Sequence, residues 1–372
     1  REKEENALGM VTNSIGAREC LDKVAEWIDW GKPSSDEGYP WRRGKGIAVG
    51  NKNTQGATAS VVHVKVHPDA TIELRHSAQE IGQGCDTVLA QIAAEEFSTT
   101  IDKVRMITRD TAITPYDFGA VSSRTTIHDG NALRLACQNA KQQIFEIASE
   151  MMDVPPEDLT IKDGVVYVAS TIEKSIRISD LFTPTGIQLK RGEIVGIGTY
   201  VGPYVLEDAE TAQSTRPVIC FTHGANAAEV MVNVETGETK VLKIAGAFDM
   251  GQPINPKLCE CQIEGGIANG IGSTLHEEMI IDNGVVVNPS FVEYKLPTTM
   301  EVPSGTDMGT IIEPVPYQEG PYGAKGLGEA TMVAVAPAIA NAVFNAIGVR
   351  IKDLPITREK VLKEKQSLGL KD

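Results

Sequence analysis

The chain has 372 residues, 41% apolar and 23% charged, the balance of a globular protein long enough for two or three domains. A formal net charge of −15 at pH 7 argues against nucleic acid or an anionic membrane surface as its partner. The six cysteines (Cys20, Cys85, Cys137, Cys220, Cys259, Cys261) follow neither a disulfide framework nor a metal-ligand spacing, which points to a cytoplasmic protein with no metal on its own side chains. The charged opening Arg1-Glu2-Lys3-Glu4-Glu5 carries no secretory pattern.

In chain order, residues 18–30 have helical apolar spacing at Leu21, Val24, Ala25 and Ile28, and a Gly/Pro/Ser linker covers 31–40. Residues 59–74 alternate as a β-hairpin, with Val62, Val64 and Val66 on one face and a turn at His67-Pro68-Asp69-Ala70. The loop 79–84 opens a helix over 86–97. A strand at 104–108, a polar loop at 111–126 and a helix over 130–150 follow. Residues 153–200 read as a hairpin about Lys162-Asp163-Gly164, a short helix and glycine-rich strands.

The second half repeats this order. Residues 227–245 alternate, with Val230, Val232 and Val234 in register before the turn Glu235-Thr236-Gly237-Glu238. The loop Phe248-Asp249-Met250-Gly251-Gln252 matches Gln79-Glu80-Ile81-Gly82-Gln83 in pattern and precedes a helix over 256–276. A third hairpin centres on Asp282-Asn283-Gly284. Residues 330–348 are apolar enough for a membrane span, but their alanines and the recurring Asn341 and Asn345 favour a buried helix. Residues 358–365 read as a solvated helix. The expected fold is α+β, two similar lobes of β-hairpins and mixed sheet packed with helices. The expected division is an N-terminal helix and linker over 1–42, a first lobe over 43–215 and a second over 216–372.

The segment Gly323-Ala324-Lys325-Gly326-Leu327-Gly328-Glu329 carries the sharpest chemistry. Its glycines allow a close backbone approach, and a single carboxylate follows them at the start of an apolar run. Held out of bulk water, such a carboxylate has its pKa raised and acts as a base; the plain alternative is a helix cap. Gly82-Gln83-Gly84, at a helix start, can cradle a phosphate through backbone N–H groups, and the Gln83 amide both donates and accepts. Ser122-Ser123-Arg124-Thr125-Thr126 offers hydroxyls and a guanidinium, and Gln262-Ile263-Glu264-Gly265-Gly266 is a third candidate. Neither a Walker A nor a Rossmann fingerprint is present, nor Gly-x-Ser-x-Gly. Taken singly, each loop is more readily structural than functional. Together they favour one large phosphate-bearing cofactor held by several loops.

In this order the loops resemble the molybdenum-cofactor-binding subunit of the xanthine dehydrogenase family of molybdenum hydroxylases. Further segments carry the likeness: Gly251-Gln252-Pro253-Ile254-Asn255-Pro256, Asn288-Pro289-Ser290 and Tyr294-Lys295-Leu296-Pro297. The resemblance implies that Glu329 is the base in a hydroxylation that takes its oxygen from water and attacks an electron-poor carbon. It implies that Ile81, Gly82, Gln83 and Gly84 hold the pterin and that Ser123 and Thr125, with Ser122 and Arg124 beside them, hold its phosphate. Gln262 would be a second amide on the cofactor, with Lys325 and Gly328 flanking the metal pocket.

The implied cofactor is molybdenum-molybdopterin, in some members the cytosine dinucleotide form, with [2Fe–2S] clusters and FAD on partner subunits. The Gly-Gly-Phe-Gly and Arg-Gly-Phe/Tyr-Gly loops of the family's N-terminal half do not occur here. The chain therefore resembles the C-terminal half, like the medium molybdopterin subunit of nicotinate dehydrogenase, in which the molybdenum subunit is split. Its expected partners are an N-terminal-half molybdopterin subunit, an Fe–S subunit, an FAD subunit and a small heteroaromatic or aldehyde substrate. Val49 stands where purine-oxidising relatives carry a stacking aromatic, which weighs against a purine held in that way. The alternatives are a non-catalytic cofactor-binding scaffold and part of a carbon monoxide dehydrogenase-like enzyme.

Overall fold

The computed structural model describes residues 4–35 and 37–369, so part of the charged opening segment lies outside the described residues. The elements run α1 (Ala17–Trp27), β1 (Trp41–Gln55), β2 (Ala59–Val66), β3 (Ile72–His76), α2 (Cys85–Glu96), β4 (Val104–Thr108) and α3 (Thr125–Met152). Then come β5 (Leu159–Lys162), β6 (Val165–Val168), β7 (Thr171–Arg177), α4 (Ile178–Leu181) and β8 (Ile194–Val201). The second half holds β9 (Val218–Asn233), β10 (Thr239–Asp249), α5 (Pro256–Leu275), β11 (Ile281–Asp282), β12 (Val285–Val286) and β13 (Met308–Glu313). It ends with α6 (Ala330–Val333), α7 (Val335–Ile347) and α8 (Arg358–Ser367).

Two four-stranded sheets share one plan. The first has the order β4-β3-β2-β8 and the second β13-β10-β9-β1. In each, an antiparallel hairpin (β2–β3, β9–β10) is followed by a helix, and the sheet's next strand (β4 directly, β13 after the short β11–β12 pair) is parallel to the hairpin's second strand. The outer strand of each sheet, β8 or β1, is antiparallel to the hairpin's first strand. The α+β pair of similar lobes is thus present. A small antiparallel sheet, β5-β6-β7, flanks the first lobe.

The alternating apolar pattern explains the packing. Val62, Val64 and Val66 turn inward from β2 against α2 and α3, with Leu89, Ile92, Leu133 and Ala136. Val230 and Val232 of β9 meet α5 and α7 through Ile263, Ile267, Ile339 and Val343. The other face of that sheet is covered by α1, through Cys20 and Val24. Because both faces are covered, β9 is buried almost throughout and shows no alternation before Ala227. In both lobes, paired glycines on the outer strand bring a helix down onto the sheet. A Cβ on Gly44 would lie 2.3 Å from the Ala342 carbonyl oxygen of α7, and one on Gly198 would lie 2.0 Å from that of Ala132 in α3.

Three expectations change. Strand β1 pairs along its length with β9, so residues 41–55 join the second sheet and the division at residue 43 does not follow the sheets. The α1 segment likewise packs on the second lobe. The apolar stretch expected as one helix over 330–348 breaks at Ala334 into α6 and α7, with Pro337 in the first turn of α7, where its missing N–H costs little. That stretch lies against β1 and β9, as a buried helix does.

Candidate cofactor site

A cleft of about 510 Å³ opens where the lobes meet. The first lobe contributes Ile81, Gln83 and the start of α3. The second contributes the loop after β10, one face of α5, and the segment from Ala324 to Met332. Ile81, Gln83, Ser122, Ser123, Arg124, Thr125, Gln262, Lys325, Gly328 and Glu329 all line it, although they are spread over some 250 residues of chain. The lobes are tied across the seam by Asn255, whose amide donates to Gln91 at 2.9 Å, and by the Tyr322 hydroxyl, which donates to Glu96 at 2.8 Å.

Glu329 stands at the mouth. Its Oε2 accepts from the Ser123 hydroxyl at 3.2 Å and lies 3.3 Å from the Lys52 ammonium. The Glu329 N–H returns a bond to Ser123 Oγ at 3.3 Å. The expected burial is not found: the Glu329 side chain is 52% exposed, since none of the described residues covers the mouth above it. The loop that positions it is held hard. Ser122 and Ser123 both adopt left-handed backbone angles, φ 50° and 52°, a conformation non-glycine residues adopt only under external constraint. Gly326 supplies part of that constraint, because a Cβ there would sit 1.7 Å from the Ser123 carbonyl oxygen.

Arg124 is not an anion ligand. Its guanidinium is fully buried, and all five N–H donors are spent: on Thr58 Oγ1 (3.0 Å), Asp117 (2.9 Å), Gly119 O (3.2 Å), Ala59 O (3.0 Å) and Ser60 Oγ (2.7 Å). It forms the floor under the serine loop. Burial alone would push the Asp117 carboxyl up, but bonds from Arg124 and Ser60 outweigh it and hold it low. Asp129, behind it, is pushed up to about 7 by burial and then by the Asp117 charge. Burial and the Arg124 charge push the His128 ring down to about 4.

Lys325 is turned away from the cleft as well. Its ammonium is buried 2.7 Å from Asp249 Oδ2 and donates to Ser14 O at 3.2 Å. Only its backbone faces the cleft side, where its N–H bonds Met250 O at 2.8 Å. The glycine loop is not an open phosphate cradle either. The Gly82 and Gly84 N–H groups both donate to Glu80 Oε1 at 2.9 Å, and the Asp86 N–H donates to Oε2 at 3.2 Å. Those backbone bonds outweigh burial and hold the Glu80 carboxyl low. The Gln83 amide is satisfied within the loop by the Ile81 N–H and Gln79 O, both at 2.7 Å. Gly82 and Gly84 serve the turn, with φ 102° and 83°.

Gln262 lies within α5 rather than in a loop, so its segment offers no free N–H groups. Its side chain does face the cleft and makes no hydrogen bond among the described residues. What remains for a phosphate is the N-terminus of α3, which lacks a side-chain cap, with the hydroxyls of Ser122, Ser123 and Thr125 around it. At Gly265 a Cβ would meet nothing within 4 Å and would enter the cleft. These residues fit a flat, phosphate-bearing cofactor held mainly by neutral donors. Lys52 was missed by sequence reasoning. It lies on β1, which reaches the site only through pairing with β9, so no local pattern marked it.

A two-lobed α+β frame with a cleft at its seam, where a few polar groups stand among apolar ones, defines a protein that binds a large cofactor between repeated halves. The family model of the molybdopterin cofactor-binding domain matches residues 23–303, and the chain belongs to that family, of the xanthine dehydrogenase type. It is 33% identical to the xanthine dehydrogenase molybdenum-binding subunit of Escherichia coli O157:H7, over 100% of this chain and 49% of that protein. It is 28% identical to the 6-hydroxypseudooxynicotine dehydrogenase complex subunit gamma of Paenarthrobacter nicotinovorans, over 93% of this chain and 42% of that one. Among solved structures, quinoline 2-oxidoreductase from Pseudomonas putida 86 superposes with a TM-score of 0.85 at 25% identity, covering 98% of this chain and 47% of that one. The chain spans about half the length of the relatives it matches.

Proposed function

We propose that this chain is the cofactor-bearing second half of the molybdenum subunit of a hydroxylase, acting on a heteroaromatic or aldehyde carbon with water as the oxygen source. The observation that carries this reading is the convergence of four separated segments on one cleft, with a lone carboxylate, Glu329, at its mouth. The bound molybdenum cofactor, which we favour in its cytosine dinucleotide form, would supply the redox centre that accepts two electrons from substrate.

The chain's own residues do the rest. The α3 N-terminus and Thr125 bind phosphate, while the Ser123 hydroxyl stays committed to Glu329, and Gln262 orients the ring system through its free amide. Ser123 and Lys52 fix the Glu329 carboxylate in one rotamer, where Oε1, without a partner among the described residues, takes the proton. Water is excluded from Glu329 by the remainder of the subunit. Electrons leave through Fe–S and FAD partner subunits, since the six cysteines of this chain lack the spacing of cluster ligands.

Glu329→Gln keeps the shape and removes the base. Molybdenum and pterin content should stay at the wild-type level while turnover falls by about 10²–10⁴-fold. Metal analysis beside steady-state rates checks this, and retained turnover would show that the base lies elsewhere.

A further inference from the structure

Between α5 and β13 the chain makes an arm with its apolar side outward. Met279, Ile281, Val285, Phe291, Val292 and Met300 are each between 61% and 88% exposed. A soluble protein rarely leaves so many large apolar side chains together in water, and such patches mark interaction sites. The arm's only sheet is β11–β12, two residues per strand, too short to be stable by itself.

Polar groups hold the arm's shape from within. Asn288 is 8% exposed; its amide donates to Glu278 O at 2.7 Å and accepts from the Ile280 N–H at 2.9 Å. The Tyr294 hydroxyl donates to Glu277 at 2.8 Å. Pro297 packs on Gly272 of α5, where a side chain would collide with it. Asn288 and Tyr294 thus face inward while the large apolar side chains face outward, the reverse of a self-contained hairpin. This is the arrangement of a surface shaped in advance for a partner.

Charge and length select the occupant. From His276 to Glu301 the arm carries Glu277, Glu278, Asp282, Glu293 and Glu301 against Lys295 alone. A second copy would bring the same acids face to face, which opposes self-pairing. The relatives, by contrast, carry about as much chain again beyond the matched region. We propose that the arm, residues 279–300, is the docking surface for that remaining half of the molybdenum subunit, whether it is on the same polypeptide or another. The inference rests on the function proposed above and adds which surface makes the contact.

The test places a photo-crosslinking amino acid at Phe291 in the complex purified from its native host, with crosslinked peptides read by mass spectrometry. Peptides from the family's other half are expected. Crosslinks to a second copy, to an Fe–S or FAD subunit, or to nothing would overturn the proposal. As a second reading, Phe291→Asp with Val292→Asp should leave the chain's own melting unchanged, because both side chains are mostly exposed, and should weaken association with the other half at least tenfold. Undiminished association would overturn the proposal as well. Molybdenum and pterin content, measured on the same complex, reports separately on the proposed function: its loss would count against that reading without moving the crosslink.

Discussion

Gly326→Ala tests the link between the glycine segment and the carboxylate. The new Cβ would lie 1.7 Å from the Ser123 carbonyl oxygen and 2.8 Å from its carbonyl carbon. Carbon–oxygen contacts settle near about 3.3 Å, so the two segments must separate by about 1.5 Å. The obstacle is backbone on both sides and cannot swing away. Ser123 is already in a left-handed conformation over the buried Arg124, and the Gly326 carbonyl is tied to the Thr222 hydroxyl at 2.7 Å. Overpacking of this kind costs about 1–3 kcal/mol, a fall in melting temperature of about 1–4 °C for a chain of this length. Ser123 carries Glu329 with it, and a displacement of about 1 Å at a reacting group costs on the order of 10²-fold in rate. The assay is thermal melting alongside kcat per bound molybdenum. A variant that melts lower but keeps its kcat would refute the coupling through Ser123, and one unchanged in both would refute the packing as well.

Two further predictions separate stability from binding. Gly265→Ala adds a methyl group where nothing lies within 4 Å and replaces a mid-helix glycine, so melting should rise by up to ~1 kcal/mol of stability while cofactor content per chain falls; unchanged cofactor content would show that the cofactor does not approach this face of α5. Asp129 bears on pH: with its carboxyl at about 7 in the folded protein and an ordinary value of 3.8, the folded state keeps a proton that the unfolded chain has lost between those limits. Its contribution to stability is therefore complete at low pH, falls as pH rises toward 7, and is gone above it. Asp129→Asn should remove that slope, gaining about 2–3 kcal/mol relative to wild type between about pH 5 and about pH 8 in urea unfolding; parallel curves for the two proteins would refute the assignment.

The parts of the fold legible in the sequence are those where one face is buried and the other wet. Val62, Val64 and Val66, and Val230 and Val232, announce their strands because the pleat alternates between core and solvent. The duplication followed from the matched loops after each hairpin. Strand β1 was not legible: residues 41–55 show no local strand pattern, and only the distant β9 and α7 give Gly44 and Gly46 a purpose. The start of α3 at Thr125, five residues before the expected one, was hidden by its β-branched first turn. At the site, family resemblance named segments that the fold brings to one cleft, and the structure then reassigned several side chains. Glu80 fills the nest that looked open to a phosphate, and the partners of Arg124 come from Thr58, Ala59 and Ser60, more than sixty residues away.

That reassignment leaves a simpler electrostatic picture of the cleft. Three charged residues line it: Arg124, Lys325 and Glu329. The two cations are buried and neutralised from behind, Arg124 by Asp117 and Lys325 by Asp249. Breaking either pair would strand a buried charge, at about 3–5 kcal/mol, so neither can turn toward a ligand without unmaking the floor it supports. A cofactor in this cleft is then met by hydroxyls, a helix terminus and one amide, none of which titrates near neutral pH. Glu329 is left as the charged side chain with its head free at the mouth, restrained from one side by Ser123 and Lys52. The half-exposure of Glu329 follows from the same geometry: the described residues build the floor and walls of the cleft and leave its mouth open, where the other half of the subunit would, on our proposal, supply the roof.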